Sequence, residues 1–382
     1  MRKNYLLTPG PTPLPQEVCE AQAKPIIHHR TPQFQAILKE VIEGLKYVFQ
    51  TTGDVFVLTS SGTGAMEAAV VNLLSPGDTV IVVQGGKFGE RWTEIAASYG
   101  IKTEIINVEW GKAVDPKEIE AKLKADPKIK VVFTTLCETS TCVTNDIEAI
   151  GRIVKNYDAV LAVDAISGLG AIDFKTDAWA VDVCVSGSQK GLMLPPGLAF
   201  ISVSKKAWDK VKDSKCPKYY LDLKSAKKAM EKTDTPFTPA ISLVIALREA
   251  LKIIREDGLE NIFSRYKIMA DAVRAAMNAL NLELFAPTAA SDVVTAAKVP
   301  QGVDGEKLVK IMRDTYKVTI AGGQAELKGK IIRIAHMGYI EEFDIIAGLA
   351  CLEKVLKQMG HKFELGTGVK AAQEVFNGER RK

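Results

Sequence analysis

The sequence predicts an α/β protein: a mainly parallel sheet flanked by helices, followed by a smaller C-terminal α+β domain. Two observations carry that expectation. Through the first half of the chain, short all-apolar runs alternate with amphipathic stretches of about 10 to 15 residues, the mark of a sheet buried on both faces. After residue 280 the rhythm changes to isolated strands and two further helices.

Residues 1–20 are Pro-rich and read as an extended arm. Phe34, Ile37, Leu38, Val41, Ile42 and Leu45 recur at helical spacing, so residues 33–50 predict a helix. "DVFVLTS" (54–60) is a strand pattern leading into a helical "GAMEAAVVNLL" (64–74). "TVIVVQ" (79–84) leads into "GERWTEIAASYG" (89–100), and "KVVFTTL" (130–136) into "DIEAIGRIVKNY" (146–157). Three more strands appear in "AVLAVDA" (159–165), "VDVCVSG" (181–187) and "LAFISVS" (198–204). A long helical pattern runs from Ser242 to about Ala279, broken at Asp257-Gly258. Then come strands in "VVTAAKVP" (293–300), "KVTIAGG" (317–323) and "KIIRIAH" (330–336), with helices near 304–315 and 341–358. The tail from Gly366 reads as polar surface chain. The expected organisation is an arm at 1–20, a large domain at 21–255, a small domain at 256–365 and a tail at 366–382.

Composition excludes several classes. A net charge of +4 on 382 residues, with no basic stripe, gives no reason to expect nucleic acid as a partner. The apolar runs are too short to span a bilayer, and "MRKNYLLTPGPTPLPQE" has no apolar core of a signal peptide. The final "ERRK" is not a peroxisomal address. Six scattered cysteines without CxxC spacing suit a reducing, cytoplasmic setting and no metal site.

Ligands of an open parallel sheet bind beyond the C-terminal ends of its strands. The residues just past each strand are therefore informative. After the first comes Thr59-Ser60-Ser61-Gly62-Thr63-Gly64, opening a helix: an anion site in outline, with Ser61 and Thr63 as added hydroxyl donors. The same loop reads equally as a plain helix cap, and it lacks the third glycine of a dinucleotide fingerprint. Asp164 ends five apolar residues, where a carboxylate needs a cation or several donors; it is either a turn cap or the partner of a protonated heterocycle nitrogen. Lys190 is the one charged residue between Val183 and Ile201. A lysine in apolar surroundings has a lowered pKa and becomes a nucleophile able to form a Schiff base. Together the three features describe a pyridoxal 5'-phosphate site: lysine for the aldehyde, helix start for the phosphate, acid for the ring nitrogen.

At this point the chain resembles the class V, fold-type I pyridoxal-phosphate aminotransferases of the alanine–glyoxylate/serine–pyruvate group. The resemblance runs from "TPGPTPLP" (8–15) through "SGTGAMEA" (61–68), "KFGERW" (87–92), "ETSTCV" (138–143), "VDAISGLG" (163–170) and "SGSQKGLMLPPGLAF" (186–200) to "TPFTPAISLVIALREAL" (235–251) and "IIRIAHMG" (331–338). It implies fold type I, with a sheet of seven-stranded type. It implies that Lys190 is the Schiff-base lysine and Asp164 the ring-nitrogen partner. Ser61, Gly62, Thr63 and Gln189 match phosphate-side positions, and Phe88 matches the aromatic stacked on the ring. Thr139 and Ile166 match further cofactor contacts. Thr238 matches a threonine that reaches the phosphate of a neighbouring subunit, hence a homodimer with shared sites. Arg333 matches the arginine holding the substrate carboxylate, and Gly10 an arm position beside bound substrate. One position departs: Cys142 stands where the family carries glycine, which matters if the backbone there needs positive φ.

The implied reaction is a ping-pong transfer of the amino group of alanine or serine to a small 2-oxo acid, glyoxylate or pyruvate, through a Lys190 aldimine. A phosphonate-bearing amine or aspartate as donor stays open. So does, from another class, an NAD-binding oxidoreductase. Desulfuration is disfavoured, because no cysteine lies in a mobile Gly/Ser-rich loop of the C-terminal half.

Overall fold

The computed structural model describes residues 3–379. Met1, Arg2 and residues 380–382, parts of the expected arm and tail, lie outside it. In chain order the elements are β1 (Tyr5–Leu6), α1 (Gln16–Ala23), α2 (Pro32–Phe49), β2 (Asp54–Leu58), α3 (Gly62–Leu73), β3 (Thr79–Gln84), α4 (Lys87–Ser98), β4 (Lys102–Asn107), α5 (Pro116–Ala125), β5 (Val131–Thr135), β6 (Cys137–Glu138) and β7 (Val143–Thr144). They continue with α6 (Ile147–Val154), β8 (Val160–Asp164), β9 (Val183–Gly187), β10 (Ala199–Val203), α7 (Lys205–Asp213), α8 (Leu223–Met230), α9 (Ile241–Asp257) and α10 (Leu259–Ala279). The last part holds β11 (Val294–Lys298), α11 (Gly305–Tyr316), β12 (Val318–Thr319), β13 (Ala321–Gly322), β14 (Ile331–Ala335), α12 (Glu342–Gln358) and α13 (Thr367–Glu379).

The central sheet has seven strands in the order β2-β10-β9-β8-β5-β3-β4. All neighbours are parallel except β10, which runs antiparallel to both β2 and β9. Its inner strands are mostly apolar because helices cover both faces: β5, β8, β9 and β10 are buried at every residue. Two apolar clusters lie on the two faces. A three-stranded antiparallel sheet, β11-β14-β13, carries the C-terminal part. No helix among the described residues is long and apolar enough to cross a membrane.

Three elements differ from the expectation. The arm is not extended throughout: β1 pairs in parallel with β12, and α1 starts at Gln16. The run 317–323 is not one strand. It splits at Ile320, so β12 pairs with the arm while β13 pairs with β14. Residues 367–379, expected as polar surface chain, form α13. Polar residues dominate its sequence, yet Ala372 and Phe376 are buried against the core that includes α10. The start of α13 is secured from α12. Glu353, 2% exposed, accepts the N–H of Val369 at 2.9 Å and that of Gly366.

Glu353→Ala therefore strands two helix-start donors. It is expected to cost about 1.5–3 kcal/mol, read as a lower urea midpoint, with a smaller loss for Glu353→Gln. An unchanged midpoint for the alanine variant contradicts this view of α13.

Candidate active site

The parallel strands deliver their final residues to one edge of the sheet, and a cavity of about 270 Å³ opens there. Of the residues singled out from sequence, Gly10, Ser61, Gly62, Thr63, Phe88, Thr139, Asp164, Ile166, Gln189 and Lys190 line it. Arg333 stands just behind the wall and Thr238 is elsewhere.

Lys190 follows β9 and is 9% exposed. Burial lowers its pKa to about 8, and the charges of Arg333 and Arg91 act in the same direction. Its Nζ donates to the carbonyl oxygen of Pro9, so the N-terminal arm lies directly on the amine. The arm can come this close because residue 10 is glycine: a Cβ there would sit 2.5 Å from Lys190 Cε, and φ is +125°. Thr12 adds two bonds to the same turn, its N–H to Gln189 O at 3.2 Å and its Oγ1 to Lys190 O at 3.1 Å.

Asp164 is the last residue of β8 and is 3% exposed. Its Oδ1 accepts the N–H of Ile166 at 2.8 Å. Burial raises its pKa to about 7, and the nearby charge of Glu138 adds to the rise. Gly62 opens α3 against Ile166, where a Cβ would lie 2.5 Å from Ile166 Cδ1. Ser61 occupies the N-cap of α3 without capping it through its side chain, which leaves the first-turn donors for something else. Oε1 of Gln189 is buried with no partner among the described residues. Thr139 Oγ1 donates to Ser167 Oγ at 2.6 Å. Arg333 reaches from β14 to the carbonyl of Thr139 at 2.6 Å and that of Gly322 at 2.9 Å; burial lowers its pKa. A guanidinium has five N–H donors, so its fork keeps capacity for a carboxylate.

Cys142 has φ 60°, the left-handed region that suits the family's glycine. It is nonetheless buried and packs its Sγ 3.7 Å from Thr139 O, carrying a backbone cost of about 1–2 kcal/mol. Thr238 does not reach the cavity. It lines a second, smaller hollow with Thr59, Tyr220 and Phe237.

Several wall residues escaped the reading of the sequence. Arg91 lies one turn after Phe88, its guanidinium carbon 4.9 Å from the Phe88 ring centre, and donates to Thr63 Oγ1 at 3.3 Å. Its spacing of three from Phe88 was the available signal. Cys137, Ser167, Pro11 and Pro196 also line the cavity. Pro196 has no local signal, since only the folded loop brings it in.

The donor set fits pyridoxal phosphate. A buried carboxylate with no ion-pair partner among the described residues suits a protonated ring nitrogen, and an uncapped helix start beside hydroxyls suits a phosphate. The orphaned Gln189 oxygen marks a place that a ligand or water completes. Phe88 offers a flat apolar face. Fold and site together define a pyridoxal-phosphate-dependent transferase of fold type I.

The particular family emerges from comparison. The aminotransferase class-V family model matches residues 4–337. The soluble hydrogenase 42 kDa subunit of Anabaena cylindrica is 47% identical over 98% of this chain and 99% of its own. The L-aspartate–glyoxylate aminotransferase of Paracoccus denitrificans is 38% identical over 98% and 96%. The serine–glyoxylate aminotransferase of Methylorubrum extorquens is 36% identical over 97% and 95%. Among solved structures, the ureidoglycine–glyoxylate aminotransferase from Bacillus subtilis superposes with TM-score 0.95 at 31% identity, covering 99% of both chains. The chain belongs to the class V aminotransferases; it is a transaminase, and pyridoxal phosphate is its cofactor. The oxidoreductase alternative is thereby set aside.

A pKa near 8 puts Lys190 in its neutral, reactive form above that pH. In the apoenzyme, acetylation of Lys190 followed by mass spectrometry is expected to rise with a midpoint near pH 8. A midpoint at the ordinary lysine value of 10.5 contradicts the desolvated environment.

Proposed function

We propose that this aminotransferase moves the amino group of alanine or serine to glyoxylate or pyruvate, in two half-reactions served by Lys190. The observation that carries the proposal is the convergence of Lys190, Asp164, Phe88 and the uncapped start of α3 on one cavity of about 270 Å³. That space must take the cofactor as well, which favours a substrate with a small side chain. Glyoxylate as acceptor has further support in the names of the aspartate–, serine– and ureidoglycine–glyoxylate relatives.

The bound cofactor supplies an aldehyde carbon that exchanges amines and a conjugated ring that accepts an electron pair. Ser61, Gly62, Thr63 and Gln189 hold its phosphate side, where the N–H groups and dipole of α3 favour negative charge. Phe88 covers one face and excludes water. Asp164 keeps the ring nitrogen protonated; a cation beside it draws its own pKa back down. Thr139 and Ile166 border the ring. With the cofactor and substrate bound, Lys190 Nζ would take the proton from the substrate Cα. Its lowered pKa gives it a usable neutral fraction close to pH 8. Arg333 turns its remaining donors to the substrate carboxylate, as a planar fork suits bidentate pairing. Gly10 leaves room for the substrate beside the amine.

Thr238 completes the phosphate site of a second copy, which makes a homodimer the working unit. Its place outside the cavity of its own chain supports this, as does the exposed tyrosine beside it, Tyr219, at 81%. Residues 21–255 line the cavity together with Gly10 and Pro11 of the arm, and residues 256–365 contribute Arg333 from behind its wall. Six free cysteines, five of them buried, support a reducing cytoplasmic setting. One observation favours a second donor. Arg91 lines the cavity and could pair with a side-chain carboxylate, which would admit aspartate.

A panel of donors and acceptors on purified holoenzyme tests these assignments. Alanine and serine with glyoxylate or pyruvate should turn over with parallel double-reciprocal lines, the pattern of ping-pong exchange. Intersecting lines, or turnover with aspartate alone, contradicts the proposal. Arg333→Ala should raise KM for the carboxylate substrate by about 10–100-fold, with a smaller effect on kcat. An unchanged KM removes Arg333 from the substrate site.

A further inference from the structure

Helix α4 begins at the cavity wall, and its own N-cap, Gly86, has no side chain to receive the first N–H groups. The opening donors of a helix need acceptors from somewhere. Here they come from β6 and the turn after it. Glu138 Oε2 accepts the N–H of Phe88 at 3.1 Å and of Gly89 at 2.9 Å. Ser140 Oγ accepts the N–H of Lys87 at 3.0 Å and donates to Glu138 Oε1 at 2.5 Å. The N–H of Ser140 closes on the same oxygen at 3.2 Å.

This carboxylate is 2% exposed and has no lysine or arginine within ion-pair distance among the described residues. Burial raises its pKa, and among the described residues N–H and O–H donors alone hold its ionised form. The close approach also depends on residue 86 being glycine, because a Cβ there would lie 2.6 Å from Glu138 Cδ and closer still to Ser140 Oγ. A buried charge held this way is costly to keep unless its geometry matters. Its position shows what the geometry serves. Phe88 reaches the cavity from the turn that Glu138 holds, and Arg91 from the next turn of the same helix. Thr139, the next residue in the chain, carries the carbonyl that receives Arg333.

Building on the cofactor-facing role proposed above for Phe88, we propose that Glu138 is a positioning residue: its buried carboxylate clamps the first turn of α4 and so fixes the Phe88 ring against the cofactor. Every bond of the clamp is made within this chain, so the clamp makes the stacking face pre-organised rather than induced.

The test has one reading on apoprotein and one on cofactor binding. By hydrogen exchange, the amides of Phe88 and Gly89 in the apoprotein should be protected as well as those of the α4 interior, although they lie in its first turn. In Glu138→Gln, which keeps the shape but turns one acceptor into a donor, their exchange should rise about tenfold or more. The cofactor dissociation constant should rise about tenfold in the same variant, and the visible circular dichroism of the bound cofactor should weaken. Phe88→Ala should show a comparable loss of affinity, and the double variant should be no weaker than Phe88→Ala alone, because the clamp acts through that ring. Should Glu138→Gln fail to fold, Ser140→Ala removes the acceptor of the Lys87 N–H and is read the same way. Unprotected amides in the native apoprotein overturn the clamp. So does a Glu138→Gln variant that loses stability but keeps wild-type affinity and dichroism, or losses that multiply in the double variant. Unchanged affinity in Phe88→Ala overturns the stacking role first and this inference with it, and protection at Phe88 and Gly89 tells that failure from a failure of the clamp.

Discussion

Desolvation at the carboxyl edge of the parallel sheet is the constraint on which the site depends. Lys190 and Asp164 sit at the ends of adjacent parallel strands, β9 and β8, with almost no exposure. Each is pushed toward neutrality, the lysine down to about 8 and the aspartate up to about 7. Water no longer stabilises either charge, so both gain from a partner that brings its own. In the function proposed here, pyridoxal phosphate would bring an aldehyde for the amine and a basic ring nitrogen for the acid, and would thereby relieve both groups. The rest of the fold maintains that dryness: four fully buried strands, the arm across the amine, and the wall of α4.

The site is assembled from distant parts of the chain. Pro9 and Gly10 lie on Lys190, and the same arm is anchored through β1 to β12 in the C-terminal part. Arg333 comes from β14 and grips the Thr139 carbonyl across the cavity wall. Arg333 and the arm therefore belong to one C-terminal framework, while the lysine, the acid and the helix start belong to the central sheet. Any movement of one against the other is felt at the Lys190 amine and at the Thr139 carbonyl.

Much of this was legible because the sheet writes a simple pattern. A carboxylate closing an apolar run points to Asp164, the lone charge between Val183 and Ile201 points to Lys190, and the helix break at Gly258 appears where Asp257-Gly258 places it, with φ 77°. Other features left no such trace. The antiparallel sense of β10 is invisible in "LAFISVS", since a strand buried on both faces reads alike in either direction. The helix α13 hides behind its polar residues, although Val369, Ala372, Val375 and Phe376, which pack on the core, recur at helical spacing. Ile320 gave no sign that the run 317–323 serves two partners. Glu138 enters the sequence reading only inside the motif "ETSTCV", although a carboxylate following an apolar strand carries the same signal that identifies Asp164.

The central claim is that one buried amine, that of Lys190, carries the cofactor. Borohydride reduction of the yellow holoenzyme, followed by proteolysis and peptide mapping by mass spectrometry, tests it directly. The pyridoxyl tag is expected on Lys190, in the peptide that contains "SGSQKGLMLPPGLAF". A tag on any other lysine, or a holoenzyme that loses its cofactor on denaturation after reduction, contradicts the account.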